Sequence, residues 1–247
     1  SLDLFGFLSN HSMLIDRRLR AATDLDALAR AATQMNDMIR RQYRGGTRVE
    51  LLARLVQDLN GRLFEQAWQL IAPPELVQNS CLLVMGSEGR GEQLLKTDQD
   101  NALLLRDGYV PPDDLPAICA RFSEALARFG YPPCPGHVML SNAIWRGTVQ
   151  DFARRVRKWL VLPEADSLIN LAVFMDAHAV CGDAELLASL RRQVFGMLAD
   201  DDAMMSRFAA VVDAFGDGTR WWRRMLGGGE ANLNVKKAGM FPLVHGV

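Results

Sequence analysis

Between Thr47 and Ala72, the apolar residues Leu51, Leu52, Leu55, Val56, Leu59, Leu63 and Phe64 recur at three- and four-residue steps, which makes one apolar helical face. Ser12 to Arg44 carries the same period, and Gly45-Gly46 separates the two stretches. Pro73-Pro74 ends the second, because proline cannot continue a helix and its predecessor is pushed out of helical geometry. The expectation is an N-terminal helical hairpin. The pattern then changes. Five apolar residues, Cys81 to Met85, run into Gly86-Ser87; a polar stretch follows, and Asp98-Gln99-Asp100 opens a second apolar run, Ala102 to Leu105. This reads as strand, tight turn, one or two helical turns, strand.

Downstream, Pro111-Pro112-Asp113-Asp114 forms a turn and N-cap before a helix from Leu115 to Phe129. A break follows over Gly130 to Gly136, and His137 to Leu140 is apolar and short enough for a third strand. From Thr148 the chain reads as all helix: Thr148 to Val161 is amphipathic, Ser167 to Val180 is almost continuously apolar, Asp183 caps a helix to about Ala199, and Asp201 or Asp202 begins another. Gly227-Gly228-Gly229 ends the segment that holds Trp221-Trp222. The expected fold class is α+β, a small mixed sheet flanked by helices, with the N-terminal hairpin and a C-terminal helical bundle. The expected divisions are 1–76, 77–147 and 148–247.

Composition narrows the picture. A chain of 247 residues, 49% of them hydrophobic, can bury a sizeable core. A net charge of −1 provides no field for gripping nucleic acid or an anionic membrane, so neither is expected as a partner. The arginine groups Arg17-Arg18-Arg20 and Arg40-Arg41-Arg44 read as solvated helix faces. Cys81, Cys119, Cys134 and Cys181 are scattered without CxxC spacing and sit mostly in apolar runs, which reads as reduced, buried thiols in a cytoplasmic protein. No run approaches the roughly 20 apolar residues of a membrane span. No signal peptide opens the chain. Starting without methionine and stopping soon after a helix-like start at Lys237, the sequence is expected to be a piece of a longer protein.

The candidate chemistry is concentrated between Cys81 and Arg106. Gly86 lets the backbone leave its strand sharply and approach a ligand, and Ser87 falls where free N–H groups at a helix start attract phosphate oxygens. Arg90, three residues on, shares a helical face with Ser87 and could close over the same phosphates. Side chains on a strand alternate faces, so Asp98 and Asp100 point one way and Gln99 and Asn101 the other. Two carboxylates on one face form a hard oxygen site that suits magnesium, with manganese as the alternative ion.

These residues carry a family resemblance. An apolar strand, Gly-Ser, ten residues from Glu88 to Thr97, then Asp-x-Asp resembles the nucleotidyltransferase superfamily of DNA polymerase β, antibiotic adenylyltransferases and the PII-protein uridylyltransferases. The fuller string GSEGRGEQLLKTDQDN resembles one branch, found behind cyclic-nucleotide-binding and CBS domains; SNAIWRGTVQDFARRVRKWL, FMDAHAVCGD and NVKKAGMFPLV resemble its later landmarks. The resemblance implies a nucleotidyltransferase sheet, with a cleft between it and a helical, substrate-side domain. It implies a nucleoside triphosphate as substrate or ligand, Asp98 and Asp100 as catalytic metal carboxylates, and Gly86, Ser87, Arg90 and Lys96 around the nucleotide. Glu92, Asn142, Arg146 and Lys236 are candidate substrate or phosphate contacts. Implied partners are a protein acceptor, upstream CBS or cyclic-nucleotide-binding domains, and a second copy of the chain in a homodimer.

One departure stands out. The superfamily's third metal-binding carboxylate usually lies on a third strand, and His137 to Leu140 holds none. Glu92, Asp151 and Asp176 are the substitutes considered, and spacing does not choose among them. Two readings therefore remain open: an enzyme transferring a nucleoside monophosphate to a hydroxyl, and a regulatory module that binds nucleotide and transfers nothing. The chain has no GxxxxGK[ST], GxSxG or HExxH motif, and no GxGxxG after a strand.

Overall fold

The structure, a computed structural model, describes residues 2–86, 98–162 and 165–215. Three helices open the chain: α1 (Leu2–Ala21), α2 (Leu25–Arg44) and α3 (Val49–Ile71). The first of the two expected helical stretches is thus divided. Asp24 divides it, with extended backbone and a carboxylate that accepts the Ala27 N–H at 2.7 Å, the usual way an aspartate caps a new helix. A single helical turn, α4 (Pro74–Gln78), leads into β1 (Ser80–Val84). The order continues with β2 (Asn101–Leu105), α5 (Leu115–Arg128), a 3₁₀ turn over Ala143–Trp145, β3 (Arg146–Thr148) and α6 (Val149–Val161). The last described elements are α7 (Ala165–Met175), β4 (His178–Gly182), α8 (Ala184–Ala199) and α9 (Asp202–Phe215).

The fold is α+β. One mixed sheet runs in the order β3-β2-β1-β4, with β1 antiparallel to both β2 and β4 and β3 parallel to β2. Both central strands are buried along their whole length, so alternate side chains feed two different cores. Leu82, Val84, Leu103 and Leu105 join the core built with α1–α3 and α5. Cys81, Leu83, Met85, Ala102 and Leu104 join the other, with α6–α9. Trp145, Trp159, Phe152 and Phe174 pack ring against ring in that second core. None of the described helices is long and apolar enough to cross a membrane.

Two expectations need correction. His137 to Leu140 is a turn rather than a strand, with His137 at a positive φ of 53°. The third strand is instead Arg146–Thr148, which pairs with Leu103 to Leu105. The stretch after Thr148 is not all helix either. The apolar run from Ser167 breaks at Met175, where the Asp176 and Ala177 N–H groups turn back to Val173 and Phe174, and His178–Gly182 then pairs along β1. The reason is backbone accounting: the outer edge of β1 is buried, and its N–H and C=O groups require partners that water cannot supply. The expected cap at Asp183 is present, and Thr148 caps α6 as a capping box with Asp151. Asp201 caps α9, accepting the Met204 N–H at 3.0 Å.

Candidate active site

The site is built where β1 ends and β2 begins. The Met85 N–H donates to the Asp100 carbonyl at 2.9 Å, which extends the β1–β2 ladder past both strands and brings Gly86 against Asp100. Gly86 has a φ of +58°, and a Cβ there would lie 2.6 Å from Asp100 Oδ2. The glycine is needed twice over, for its left-handed backbone and for the space the carboxylate occupies.

The segment before β2 is pinned from its other side. Gln99, 3% exposed, is held by three backbone carbonyls: its N–H donates to Pro132 at 2.9 Å, and its side-chain amide to Ser123 and Tyr131, both at 2.9 Å. Asn101, 2% exposed, donates its N–H to Val138 at 3.0 Å and accepts the Leu140 N–H on Oδ1 at 2.9 Å. Tyr131 is itself tied to α3 through a hydrogen bond to Asn60. The alternation expected from the sequence therefore holds: Gln99 and Asn101 face inward, and Asp98 and Asp100 stand half-buried on the opposite side.

On that side the two carboxylates meet a third donor. One ligand atom each from Asp98, Asp100 and Cys134 lies within 4.8 Å of the others. Among the described residues, the side chain that joins the aspartate pair is thus a thiol and not a carboxylate. Burial pushes the Cys134 thiol up to about 11; Asp100, which accepts its hydrogen bond, pushes the same way, and the backbone N–H groups of Val138 and Gly136 oppose it. At neutral pH it is a protonated donor. The other three cysteines are also buried, as expected, and burial raises Cys81 to about 12 and Cys119 and Cys181 to about 11.

The remaining candidates separate. Asp151 is spent on the α6 capping box and on Arg154; these hold its carboxyl below the ordinary value even though burial acts the other way. It does not join the pair, and neither does Asp176. Asn142 starts the 3₁₀ turn, accepting the Ile144 N–H at 3.3 Å and donating to the His137 carbonyl at 3.2 Å. Arg146 donates through Nη1 to the carbonyls of Leu140 and Ser141, at 3.0 and 2.6 Å. Both thus hold the 137–146 turn together. Ser87, Arg90, Glu92, Lys96 and Lys236 lie outside the described residues, as do Trp221, Trp222 and the glycine run after them.

The donor set fits a divalent cation. Two carboxylates half-open to solvent supply hard oxygen ligands, and one of them, Asp100, lies against Gly86 where a side chain would otherwise stand. The pair belongs to the sheet face that α6–α9 cover, because Ala102, in register with Asp100 along the strand, packs into that core. Sequence reasoning missed Cys134. Its signal was the setting: it sits in a Pro-Pro-Cys-Pro-Gly turn, where no strand or helix explains a buried thiol.

A search among curated proteins finds no match to the chain. A family model does match, over residues 33–166, more than half of the chain, from within α2 through the sheet's first three strands and α6. The matched span contains Gly86, the aspartate pair and Cys134, and on that ground the chain belongs to the family described as "Putative nucleotidyltransferase DUF294".

Proposed function

We propose that the protein transfers a nucleoside monophosphate from a magnesium-bound nucleoside triphosphate to a hydroxyl acceptor. The observation that carries this is the pair Asp98 and Asp100 converging opposite the side-chain-free bend at Gly86, within the span matched by the nucleotidyltransferase family model. Asp98 and Asp100 would hold the cation, with manganese as a substitute. The cation, when bound, neutralises charge developing on the transferred phosphoryl group. Gly86 would meet the polyphosphate through its backbone, with Asp100 standing where a side chain would be. Ser87, Arg90 and Lys96 are assigned to the phosphates on sequence grounds, and Glu92, Asn142, Arg146 and Lys236 are substrate or phosphate contacts on the same grounds. An acceptor oxygen bonds to the α-phosphorus, the bond to the bridging oxygen breaks, pyrophosphate leaves with the electron pair, and the hydroxyl proton passes to a carboxylate or water. The resemblance of the motif favours an acceptor side chain on a protein.

The test is incubation with labelled ATP or UTP, magnesium and candidate acceptor proteins. Pyrophosphate release that stops when magnesium is chelated is expected; absence of release with every triphosphate, while none of them binds, would sink the reading. Gly86→Ala probes the geometry. Its Cβ would press on Asp100 Oδ2, the movable end of a side chain, and its left-handed backbone costs about 1–2 kcal/mol. The fold should survive while transfer falls by about 100-fold, the size of effect expected from a misplaced ligand. Transfer by the alanine variant at the wild-type rate would remove Gly86 from the site.

A second reading has its own support. Among the described residues, the third donor beside the pair is Cys134, where two-metal transferases use a carboxylate. This favours a regulatory module that binds magnesium and nucleotide without turnover, coupled to CBS or cyclic-nucleotide-binding domains in a longer protein. Saturable, magnesium-dependent binding with no pyrophosphate release would select it.

A further inference from the structure

The reading of Asp98 and Asp100 as metal carboxylates leaves the role of the third side chain open, and we infer that Cys134 makes this a three-donor site for a thiophilic divalent ion of the zinc class, in competition with magnesium. The inference rests on that reading, and on where Cys134 sits. The residue is buried at 7% exposure, with its sulfur within 4.8 Å of one oxygen on each aspartate. The bonds zinc makes to carboxylate oxygen and thiolate sulfur are about 2.0–2.3 Å long, so three donors around one tetrahedral ion stand about 3.3–3.7 Å apart. Donors as far apart as 4.8 Å would have to draw together by up to about 1 Å, which side-chain rotation can supply.

The loop that carries the sulfur is held independently of any ion. Pro132 accepts the Gln99 N–H, the His137 N–H returns to the Cys134 carbonyl at 2.9 Å, and prolines stand on both sides of the cysteine. The thiol is thus presented to Asp98 and Asp100 by the backbone. Cys81, Cys119 and Cys181 belong to no such group among the described residues, so the arrangement is not a general consequence of burying cysteines in this fold.

Ligand softness then decides which ion gains. Magnesium takes oxygen ligands, so it uses the two carboxylates and leaves the sulfur as a hydrogen-bond donor to Asp100. Zinc, cobalt or cadmium gains a metal–sulfur bond; as that bond forms the S–H bond breaks and its proton is released to the buffer. Three protein donors leave a position open for water or a phosphate oxygen, the arrangement of reactive rather than purely structural zinc sites. The consequence is a site whose occupant is set by the ratio of free zinc-class ion to magnesium.

The experiment is a cobalt(II) titration of the nucleotide-free chain, read by the near-ultraviolet thiolate-to-cobalt charge-transfer band. One equivalent should saturate the band, zinc should abolish it, and Cys134→Ser should lose it. The serine keeps a donor for Asp100, and a cooperative melt checks that the variant is folded. In the same variant the preference for cadmium over magnesium, measured by competition, should fall at least tenfold. Cobalt that binds at the pair without the band, or a band that persists in Cys134→Ser, would overturn the assignment. The readout needs no nucleotide. A missing band beside intact magnesium-dependent triphosphate binding rejects the role of Cys134 alone, whereas a band without any triphosphate binding rejects the proposed function alone.

Discussion

Replacing Asp98 by asparagine is expected to lower nucleotidyl transfer by about 1,000-fold or more while leaving the fold intact. The side chain is half-buried at the mouth of the site, and an amide of the same shape occupies its place without a clash. What it loses is one of two anionic ligands. A metal's stabilisation of a transferred phosphoryl group is worth several kcal/mol, and each 1.36 kcal/mol is tenfold in rate, so a loss of about 4 kcal/mol corresponds to three decades. Stability should move in the opposite sense. Two carboxylates with oxygens this close repel one another without a cation, so the variant should melt at or slightly above the wild-type temperature in a chelator. The melting-temperature rise produced by magnesium in the wild type should vanish. A variant that transfers normally, or that fails to fold, would show that Asp98 serves the turn and not the metal.

The largest effect on stability is expected at Gly182, the last residue of β4. Its φ is +88°, and a Cβ placed there would lie 2.1 Å from the Ser80 carbonyl oxygen and 2.9 Å from that of Val77. Neither is the movable end of a side chain. The Ser80 carbonyl already accepts the Asp183 N–H at 2.8 Å, and Asp183 both caps α8 and pairs with Arg106 at 2.7 Å. Gly182→Ala therefore adds a left-handed backbone penalty to a backbone collision, together about 4 kcal/mol. For a chain of this size that corresponds to a melting temperature lower by about 10 °C. Thermal denaturation of the purified variant checks it. A change of less than about 1 kcal/mol would mean that β4 does not lie against β1 in this register.

Much of this architecture was legible in the sequence, and what was not follows from where the controlling interactions lie. The strand–turn–strand around Gly86 could be read because its cues are local: two short apolar runs, a glycine, and carboxylates spaced by one residue. Strand β4 could not. His178–Gly182 continues an apolar helical run, and what makes it a strand is the outer edge of β1, about 95 residues away in the chain. Strand β3 is three polar or small residues, Arg146, Gly147 and Thr148, chosen by its parallel partner and by nothing in its own composition. The turn at His137 to Leu140 resembles a strand in composition, yet its backbone bonds serve to hold Asn101.

The site divides in the same way. The aspartate pair and its outward orientation follow from strand alternation alone. Gln99 and Asn101 are polar residues that could be placed on the other face, but their service as anchors for the 123–140 backbone depends on contacts between distant segments. Cys134 is the clearest case. Among the described residues, Asp151 and Asp176 stay away from the pair, while the loop after α5 brings a thiol to it.

The most direct test of the account is equilibrium binding of a non-hydrolysable nucleoside triphosphate, measured by calorimetry with magnesium and with chelator, on the wild-type chain and on the Asp98→Asn, Asp100→Asn double variant. The account predicts saturable binding that requires magnesium and is lost in a double variant that still melts cooperatively. Triphosphate binding of equal strength with and without magnesium, or unchanged by removing both carboxylates, would contradict it.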